Sequence, residues 1–491
     1  MPSIPEVFLS AQGREVDKTE FDEAEPRLRT EMLEVQHELR DAGTPVVLLL
    51  MGDDRVGTQE VLTRLSAWLD PRWIRVHSTR GLTDEQASRP PAWRFWQHLP
   101  ARGRTTLYVG GWVGAAIRRR LQGGKKKAWR RDLEHMATFE QEQIDDGAAL
   151  LKLWLHLPPA EHKRRLKRAR KDPDKEPLVE TVDEYIYGHL DDGLKLGAEV
   201  IAQDPDRWIV IDGTDERGRD ILVGEALIAA ARTQLDSPRS APAAPDLSAV
   251  TTPSSLAAVD LTTLMDPDEY RERLHAAQGE IARLSRRARD EERSCVLAFE
   301  GWDAAGKGGT IRRIAAAMTA MDYYVEPIAA PTQEELAHHW LWRFWKRLPR
   351  SGCQVIFDRT WYGRVLVERV EGFAEEAAWQ RAYEEIVDFE TQLVEHGWAV
   401  AKFWLHISDA EQLSRFEARA DTPYKRYKLT DEDWRNREQR PAYEAAVDEM
   451  VARTDRPEAP WHIIAADDKR TARVTVIEAA VDALRRALDD D

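Results

Sequence analysis

The sequence predicts an α/β fold made of two tandem domains, each a parallel sheet covered on both faces by helices. The segment Gly52–Gly114 aligns without a gap with Gly301–Gly363, so the chain contains an internal duplication. In the later copy, short apolar runs alternate with helical patterns, and strands of that kind are typical of sheets buried on both faces. A chain of 491 residues, 42% of them hydrophobic, also exceeds what one core usually accommodates.

The elements of the second copy follow in order. A helix from Pro267 to about Arg293 precedes the first strand, as Glu25–Asp41 precedes the first copy. Ser408 and Glu411 have the spacing of a capping box and predict the start of a helix. Ligands of open parallel sheets bind at the carboxyl ends of the strands. The expected strands are Cys295–Phe299, Tyr324–Ile328, Gln354–Phe357, Ala399–Ile407 and Trp461–Ala465.

A stretch rich in Pro, Ser and Ala, residues 236–263, lacks apolar periodicity and is predicted to be a linker. It separates a first domain, residues 1–235, from a second domain, residues 264–491. Tryptophans recur at paired positions in the two copies, which predicts a shared role in packing. We expect the copies to associate as an internal pseudo-dimer, and assembly into a homo-oligomer is left open.

The overall charge limits the partners. Lys and Arg number 71 against 87 Asp and Glu, a net charge of −16, which argues against a general nucleic-acid coat.

The only cysteines, Cys295 and Cys353, start predicted strands, so a reducing compartment is expected. No signal peptide or apolar run of about 20 residues is present, which predicts a cytoplasmic protein without a membrane partner. Adjacent His338 and His339 point to different helix faces, and no zinc site is predicted.

One segment has the pattern of a phosphate-binding loop. Gly301-Trp-Asp-Ala-Ala-Gly-Lys307 follows a strand and opens a helix, so backbone amides, the helix dipole and the lysine can surround an anion. The usual pattern places Ser or Thr directly after the lysine, whereas here two glycines intervene before Thr310. We expect Asp303, inside the loop, to hold a metal ion or to position the phosphate acceptor instead.

A second acidic element strengthens this interpretation. The apolar run Val355-Ile-Phe ends in Asp358, as expected of a carboxylate that reaches a metal ion beside a phosphate loop. Arg359 follows and offers a planar fork for phosphate oxygens. The alternative for this pair is an ordinary surface ion pair.

A basic run follows the fourth strand of the second copy. Residues 415–430 carry Arg415, Arg419, Lys425, Arg426 and Lys428 against two acidic residues. Such a run is often a solvated helix face, but its place after the fourth strand favours a helical lid that closes over phosphates.

Taken together, these residues give the second copy a close resemblance to the polyphosphate kinase 2 family. The resemblance spans about residues 293–473. It rests on the following motifs in order: Gly301-Trp-Asp-Ala-Ala-Gly-Lys-Gly-Gly-Thr310, Leu341-Trp-Arg-Phe-Trp345, Phe357-Asp-Arg-Thr-Trp-Tyr-Gly-Arg-Val-Leu-Val-Glu-Arg-Val370, Tyr424-Lys-Arg-Tyr-Lys-Leu429 and Pro460-Trp-His-Ile-Ile-Ala-Ala-Asp-Asp-Lys-Arg470. It implies tandem P-loop kinase-like domains of three layers, each with a helical lid.

The resemblance also implies an activity. Family members transfer phosphate between inorganic polyphosphate and nucleotides with Mg²⁺, and the fused arrangement resembles the subgroup that converts AMP to ADP. Alternatives are an ATP-dependent nucleotide kinase and a non-catalytic regulator that binds polyphosphate or nucleotide. Because the nucleotide's phosphate oxygen is already an anionic nucleophile, no dedicated general base is expected.

Residue roles are carried over by motif. The expected catalytic residues are Asp303, Lys307, Asp358 and Arg359, with Asp303 and Asp358 holding the metal. The expected substrate-binding residues are Gly301, Ala304, Ala305, Gly306, Gly308, Thr310, Arg343, Arg364, Arg419, Lys425, Lys428, Lys469 and Arg470. For Lys469 and Arg470, surface charge at a helix start is an equally good reading.

The first copy keeps the glycines but not the charges. Thr58 replaces the loop lysine, Val109-Gly110 replaces the Asp-Arg pair, and Glu216 stands where Lys469 would. These changes predict a catalytically inactive domain, although Asp54 aligns with Asp303 and leaves a weak metal or nucleotide contact open. Two basic runs, 118–131 and 163–171, are either solvated faces or tethers for a long polyanion.

Overall fold

The structure is a computed structural model that describes residues 4–79, 81–172, 188–236, 254–421 and 431–489. The chain divides into two compact units. One unit comprises residues 1–82, 94–240 and 332–342, and the other comprises residues 83–93, 241–331 and 343–491. Each unit therefore includes a short segment from the other half of the chain, residues 332–342 in the first unit and residues 83–93 in the second. The domain boundaries predicted from the sequence do not include these two segments.

Each unit contains one sheet of five parallel strands, which confirms the predicted α/β fold. The first sheet has the order β2-β3-β1-β4-β5 and the second has the order β7-β8-β6-β9-β10. The strands of the first sheet are β1 Val46–Gly52, β2 Ile74–Ser78, β3 Thr105–Val109, β4 Ala149–His156 and β5 Trp208–Asp212. Those of the second are β6 Cys295–Gly301, β7 Tyr323–Pro327, β8 Gln354–Asp358, β9 Ala399–His406 and β10 Trp461–Ala465.

Helices connect the strands. Those of the first half are Glu6–Leu9, Lys18–Asp41, Arg55–Trp68, Asp84–Ala87, Trp93–Trp96, Gly111–Leu121, Lys126–Asp145, Pro159–Ala169, Leu190–Ile201 and Glu216–Asp236, with 3₁₀ turns at Pro71–Trp73 and Pro205–Arg207. Those of the second half are Pro267–Asp290, Lys307–Ala315, Gln333–Leu336, Trp342–Lys346, Val367–Val370, Glu376–Glu395, Asp409–Ala420, Asp431–Glu438, Arg440–Thr454 and Lys469–Asp489, with a 3₁₀ turn at Trp361–Arg364.

The helix after β9 begins as the sequence predicts, but only half of the capping box forms. The Ser408 hydroxyl accepts a hydrogen bond from the backbone N–H of Glu411. The Glu411 carboxylate instead accepts from the Arg415 side chain, at 2.6 Å. The acidic side chain is therefore used for an ion pair one turn along the helix rather than for the helix end.

Five of the six paired tryptophans are buried in the core, as predicted, and the sixth, Trp93, is half-buried. Trp361 is fully buried, and its indole N–H donates to Glu390, as the N–H of Trp112 donates to Glu140 in the first unit. These carboxylates also pair with buried lysines, Lys402 at 2.8 Å and Lys152 at 2.7 Å. The two units thus share one buried polar arrangement beneath their sheets.

Both cysteines are buried and free. Burial raises the pKa of Cys295 to about 12, so its thiol stays protonated at neutral pH. Within the described ranges, no helix combines the length and the apolar character that crossing a membrane requires.

Candidate functional site

The phosphate loop of the second unit joins β6 to the helix Lys307–Ala315. Gly301 has a φ of 139°, and a Cβ there would meet the Leu405 carbonyl oxygen at 2.6 Å, so only glycine fits. Ala304 and Gly306 also have positive φ, 66° and 111°. Within the described part of the chain, the N–H groups of Ala304 and Gly306 form no hydrogen bonds. The loop is therefore an open concavity of backbone amides at a helix start, which suits an anion.

Three of the expected catalytic side chains meet at this loop. The Lys307 ammonium donates to the Gly301 carbonyl oxygen. The Asp303 carboxylate accepts from Asn436 at 3.0 Å and lies 3.6 Å from the Arg359 guanidinium. They line one pocket, whose wall consists of Glu300, Gly301, Trp302, Asp303, Lys307, Arg359, Gly363, Leu366, Val367, Trp404, Asn436 and Tyr443.

Asp358 is the last residue of β8 and pairs in register with Phe299 of β6. It is half-buried and is not part of the pocket wall described above. No side chain or backbone group of the described residues forms a hydrogen bond with its carboxylate, which leaves both oxygens available for a ligand. Arg359, directly after it, takes a positive φ of 66°.

Sequence reasoning missed Glu300, the residue before the loop. Its side chain is 7% exposed, lines the pocket, and accepts hydrogen bonds from both the N–H and the hydroxyl of Thr360. Burial raises the pKa of Glu300, while the nearby positive charges of Lys307 and Arg359 act against that rise. The sequence does mark this position, because the first copy has Met51 where the second has Glu300, directly before the aligned segments Gly52–Gly114 and Gly301–Gly363.

Arg415 has a different role from the one predicted. The sequence grouped it with the basic run of a lid, but it is buried and donates to the carbonyl oxygens of Ala304 and Ala305 in the loop. It also donates to the carbonyls of Ala466 and Asp467 after β10. Arg415 therefore holds the phosphate loop against the end of the sheet.

The remaining predicted residues occupy varied places. Gly308 is exposed in the first turn of the loop helix, Ala305 is buried, and the Thr310 hydroxyl is bonded to Gly306. Arg343 is buried and donates to the Ala329 carbonyl, while Arg364 pairs with Glu368. Arg419 is in the last turn of the helix Asp409–Ala420; Lys469 and Arg470 are exposed at the start of Lys469–Asp489. Lys425 and Lys428 are outside the described residues.

In the first unit the corresponding loop has closed. The helix Arg55–Trp68 begins at the position equivalent to Ala304, three residues earlier than its counterpart. The Asp54 carboxylate caps it by accepting from the Gly57 N–H at 2.9 Å. The Gly57 amide, whose equivalent at Gly306 is open in the second unit, is thus used to cap the helix of the first.

Arginines fill the same loop. Arg165, the equivalent of Arg415, donates to the fully buried Asp54 carboxylate and to the carbonyls of Gly213 and Thr214. Burial raises the pKa of Asp54, and the guanidiniums of Arg165 and Arg219 oppose that effect. The Asp54 carboxylate is therefore occupied by side chains of its own unit.

Arg219 completes this cluster. It is 1% exposed and stands where the second copy has Ala472. Its guanidinium lies 3.0 Å from Glu60 and 2.7 Å from Asp220. Glu60 in turn replaces Gly309. In the first unit, an internal network of ion pairs therefore occupies the loop.

Comparison with known proteins agrees with this geometry. The family model described as Polyphosphate kinase 2 (PPK2) matches residues 15–236 and 264–491. The chain belongs to the polyphosphate kinase 2 family. Both matched segments contain a complete five-stranded sheet, so the duplication seen in the sequence is a duplication of the polyphosphate kinase 2 domain.

Similar proteins match over nearly the whole chain. A polyphosphate:AMP phosphotransferase of Pseudomonas aeruginosa is 43% identical over 99% of this chain and 100% of its own length. A protein of the same name from Pseudomonas syringae pv. tomato is 40% identical over 99% of each chain. A crystal structure of a protein assigned as polyphosphate kinase 2 from Pseudomonas aeruginosa PA01 has a TM-score of 0.87 and 40% identity, and covers 98% of this chain and 99% of that one.

Proposed function

We propose that this protein transfers the terminal phosphate of inorganic polyphosphate to AMP and that the second unit carries out the reaction. The observation that supports this most is the contrast between the two loops. The second keeps open amides, Lys307 and Arg359, whereas the first is closed by the Asp54–Arg165–Arg219 cluster. Similar chains named polyphosphate:AMP phosphotransferase support the choice of substrates.

The chemistry requires alignment and charge neutralisation. Loop amides and Lys307 bind the transferring phosphate, and Arg359 donates to its oxygens as negative charge shifts toward the leaving chain. The Asp303 carboxylate accepts a hydrogen bond from Asn436 at the pocket and would position the acceptor. A phosphate oxygen of AMP attacks the terminal phosphorus, the bond to the bridging oxygen breaks, and the shortened polyphosphate leaves as an anion.

Asp303 and Asp358 would hold the metal ion. Carboxylate oxygens suit Mg²⁺, which commonly takes one or two protein carboxylates and completes its coordination with waters and substrate phosphates. The described ranges contain no group of three or more His, Cys, Asp or Glu that could hold a metal ion, so waters and substrate phosphates would have to supply the remaining ligands. The bound ion would neutralise phosphate charge. Free cysteines and a nucleotide substrate support a cytoplasmic location as part of the same proposal.

A direct assay tests the proposed function. Purified protein is incubated with AMP, polyphosphate and Mg²⁺ in the absence of ATP, and nucleotides are separated by chromatography. ADP that appears in proportion to enzyme supports the proposal. Turnover that requires ATP indicates an ATP-dependent nucleotide kinase, and no turnover with either donor indicates a binding protein. Omitting the metal ion should abolish ADP formation, and a rate unchanged by chelator contradicts the metal assignment.

A further inference from the structure

The backbone at Arg359 is unusual for its residue type. Arg359 has a φ of 66°, in the left-handed region that side chains with a Cβ disfavour. Glu292, Ala304 and Arg359 are the non-glycine residues with positive φ in the described ranges. Two of these three belong to the candidate site. Surrounding contacts must maintain such a conformation. Strained backbone conformations of this kind are often found at functional sites.

The contacts around this turn come from the Glu300 side chain and from the Phe299 carbonyl. One carboxylate oxygen of Glu300 accepts from the N–H of Thr360 at 2.7 Å and from its hydroxyl at 2.8 Å. The N–H of Arg359 donates to the Phe299 carbonyl at 3.0 Å. The residue after Arg359 is therefore held by a side chain of β6, and the backbone of Arg359 is held by β6 itself.

The first copy provides an internal comparison. It has Met51 in place of Glu300 and Gly110 in place of Arg359. Gly110 has a φ of 79°, close to that of Arg359, and glycine adopts this conformation without a steric cost. The turn persists in the copy that lacks the carboxylate, but there it is made by glycine and presents no guanidinium.

We propose that Glu300 is a positioning residue: through its two hydrogen bonds to Thr360 it keeps Arg359 in the left-handed conformation that directs the guanidinium toward Asp303 and the phosphate loop. Arg359 lies 3.6 Å from Asp303 in this arrangement. Glu300 acts on the reaction only through Arg359. The inference builds on the proposed function, since it assigns a residue to the same site.

A double-mutant cycle tests this dependence. Wild type, E300M, E300Q, R359A and the double variant E300M/R359A are compared by kcat and KM for polyphosphate and AMP. We expect E300M to lower kcat/KM by about tenfold or more, mainly through kcat, and to change it by less than about twofold when Arg359 is already alanine. Effects that multiply in the double variant overturn the proposal.

The amide variant separates positioning from charge. E300Q keeps an oxygen that accepts from Thr360 but removes the negative charge. Retention of most of the wild-type kcat by E300Q supports positioning, and a loss as large as that of E300M overturns it. T360S, which keeps both donors, should behave like wild type, whereas T360V should resemble a mild form of E300M.

A stability measurement checks the same idea without using activity. Arg359→Gly relieves the strained backbone, so it should raise the thermal midpoint relative to Arg359→Ala. The gain should be larger when Glu300 is present than in the E300M background, where the turn can relax. Equal gains in both backgrounds overturn the proposal. A wild-type protein without turnover would count against the proposed function alone, since the stability comparison still tests Glu300.

Discussion

Lys307 and Thr58 occupy equivalent positions in two loops of the same origin, and their hydrogen bonds differ. Lys307 lies over the loop and donates to the Gly301 carbonyl. The Thr58 hydroxyl instead donates to the Asp54 carbonyl inside a helix. One side chain therefore leaves a cation at an open loop, while the other satisfies the backbone of a closed loop.

Lys307→Ala should reduce kcat/KM by on the order of 100-fold or more, because a charged donor to the transferring phosphate is lost. The thermal midpoint should change little, since the lysine is half-buried at the surface of the loop. Steady-state kinetics with polyphosphate and AMP measures the first effect. Thr58→Ala, at the equivalent position of the first unit, is the matched control and should keep full activity. A K307A protein with wild-type turnover would contradict the assigned role.

At the scale of single residues, the sequence predicted the loop and its charges but not all their partners. Lys307 and Asp303 were found because glycine spacing and charge within a short motif are local properties. Asn436 and Tyr443 line the same pocket from helices that are more than a hundred residues away in sequence. No local pattern marks them, because only the packing of these helices brings them to the loop.

The two loop-to-helix elements differ in what occupies the loop. Ion pairs of Arg219 with Glu60 and Asp220 fill the first loop. Burial by itself would lower the pKa of Arg219, but the neighbouring carboxylates outweigh burial and raise that pKa. Removing one partner of a buried ion pair leaves the others uncompensated and is costly. The cluster is therefore expected to stabilise the first unit.

Arg219→Ala should destabilise the first unit by about 3–5 kcal/mol. Below the lowered unfolding temperature, polyphosphate-dependent turnover should remain, because the phosphate loop of the second unit is unchanged. Chemical unfolding monitored by tryptophan fluorescence measures the loss. Arg217→Ala, two residues away and exposed, is the control and should have little effect. An R219A substitution that leaves the free energy of unfolding unchanged would show that the cluster does not stabilise the first unit.

Both basic runs of the first unit contain paired and exposed side chains: Lys163, Lys167, Arg170 and Lys171 of one run are exposed, and Arg119 of the other pairs with Asp132. In the run 163–171, Arg164, Arg165 and Arg168 pair with acidic residues of the unit. In the run 118–131, Lys125, Lys126 and Lys127 are exposed at the start of the helix Lys126–Asp145. These three adjacent exposed lysines form one continuous positive patch, which suits contact with a long polyanion.

Replacing Lys125, Lys126 and Lys127 by Gln should raise the KM for long polyphosphate several-fold and leave that for short chains unchanged, because only a long chain can bind the tether and the phosphate loop at once. Steady-state kinetics with length-fractionated polyphosphate measures this. The matched control removes three exposed basic residues, Lys18, Arg27 and Arg29, from another helix of the unit. Equal effects on long and short chains would rule out a tether.

Across the whole molecule, half-buried histidines link stability to pH. Burial lowers the pKa of His396 to about 4, with Arg293 adding to the effect, and that of His77 to about 4, with His98 and Arg94 adding. These groups stay neutral in the fold but take up a proton near pH 6.5 when the chain unfolds. The unfolded chain thus binds more protons between about 4 and 6.5.

The contribution of these histidines to the free energy of unfolding should therefore be complete above pH 6.5 and decline as the pH falls toward 4. For His396 the loss is on the order of 1–3 kcal/mol after allowance for partial exposure. His396→Gln should flatten part of this decline in a series of unfolding curves at different pH values. The exposed His275→Gln is the control and should leave the pH dependence as in wild type. An unchanged slope in H396Q would contradict the assignment.

The sequence by itself determined the duplication, the parallel sheets and the asymmetry of charge between the two copies. These follow from periodicity, glycine spacing and residue identity, which are local or can be read by aligning the chain with itself. Tertiary structure alone decided that Arg415 and Arg165 hold the loops, that Glu300 bonds Thr360 next to Arg359, and that segments 83–93 and 332–342 belong to the opposite units. The physical reason is that hydrogen bonds and ion pairs between distant segments depend on how helices and strands pack, and one-dimensional patterns do not record that packing.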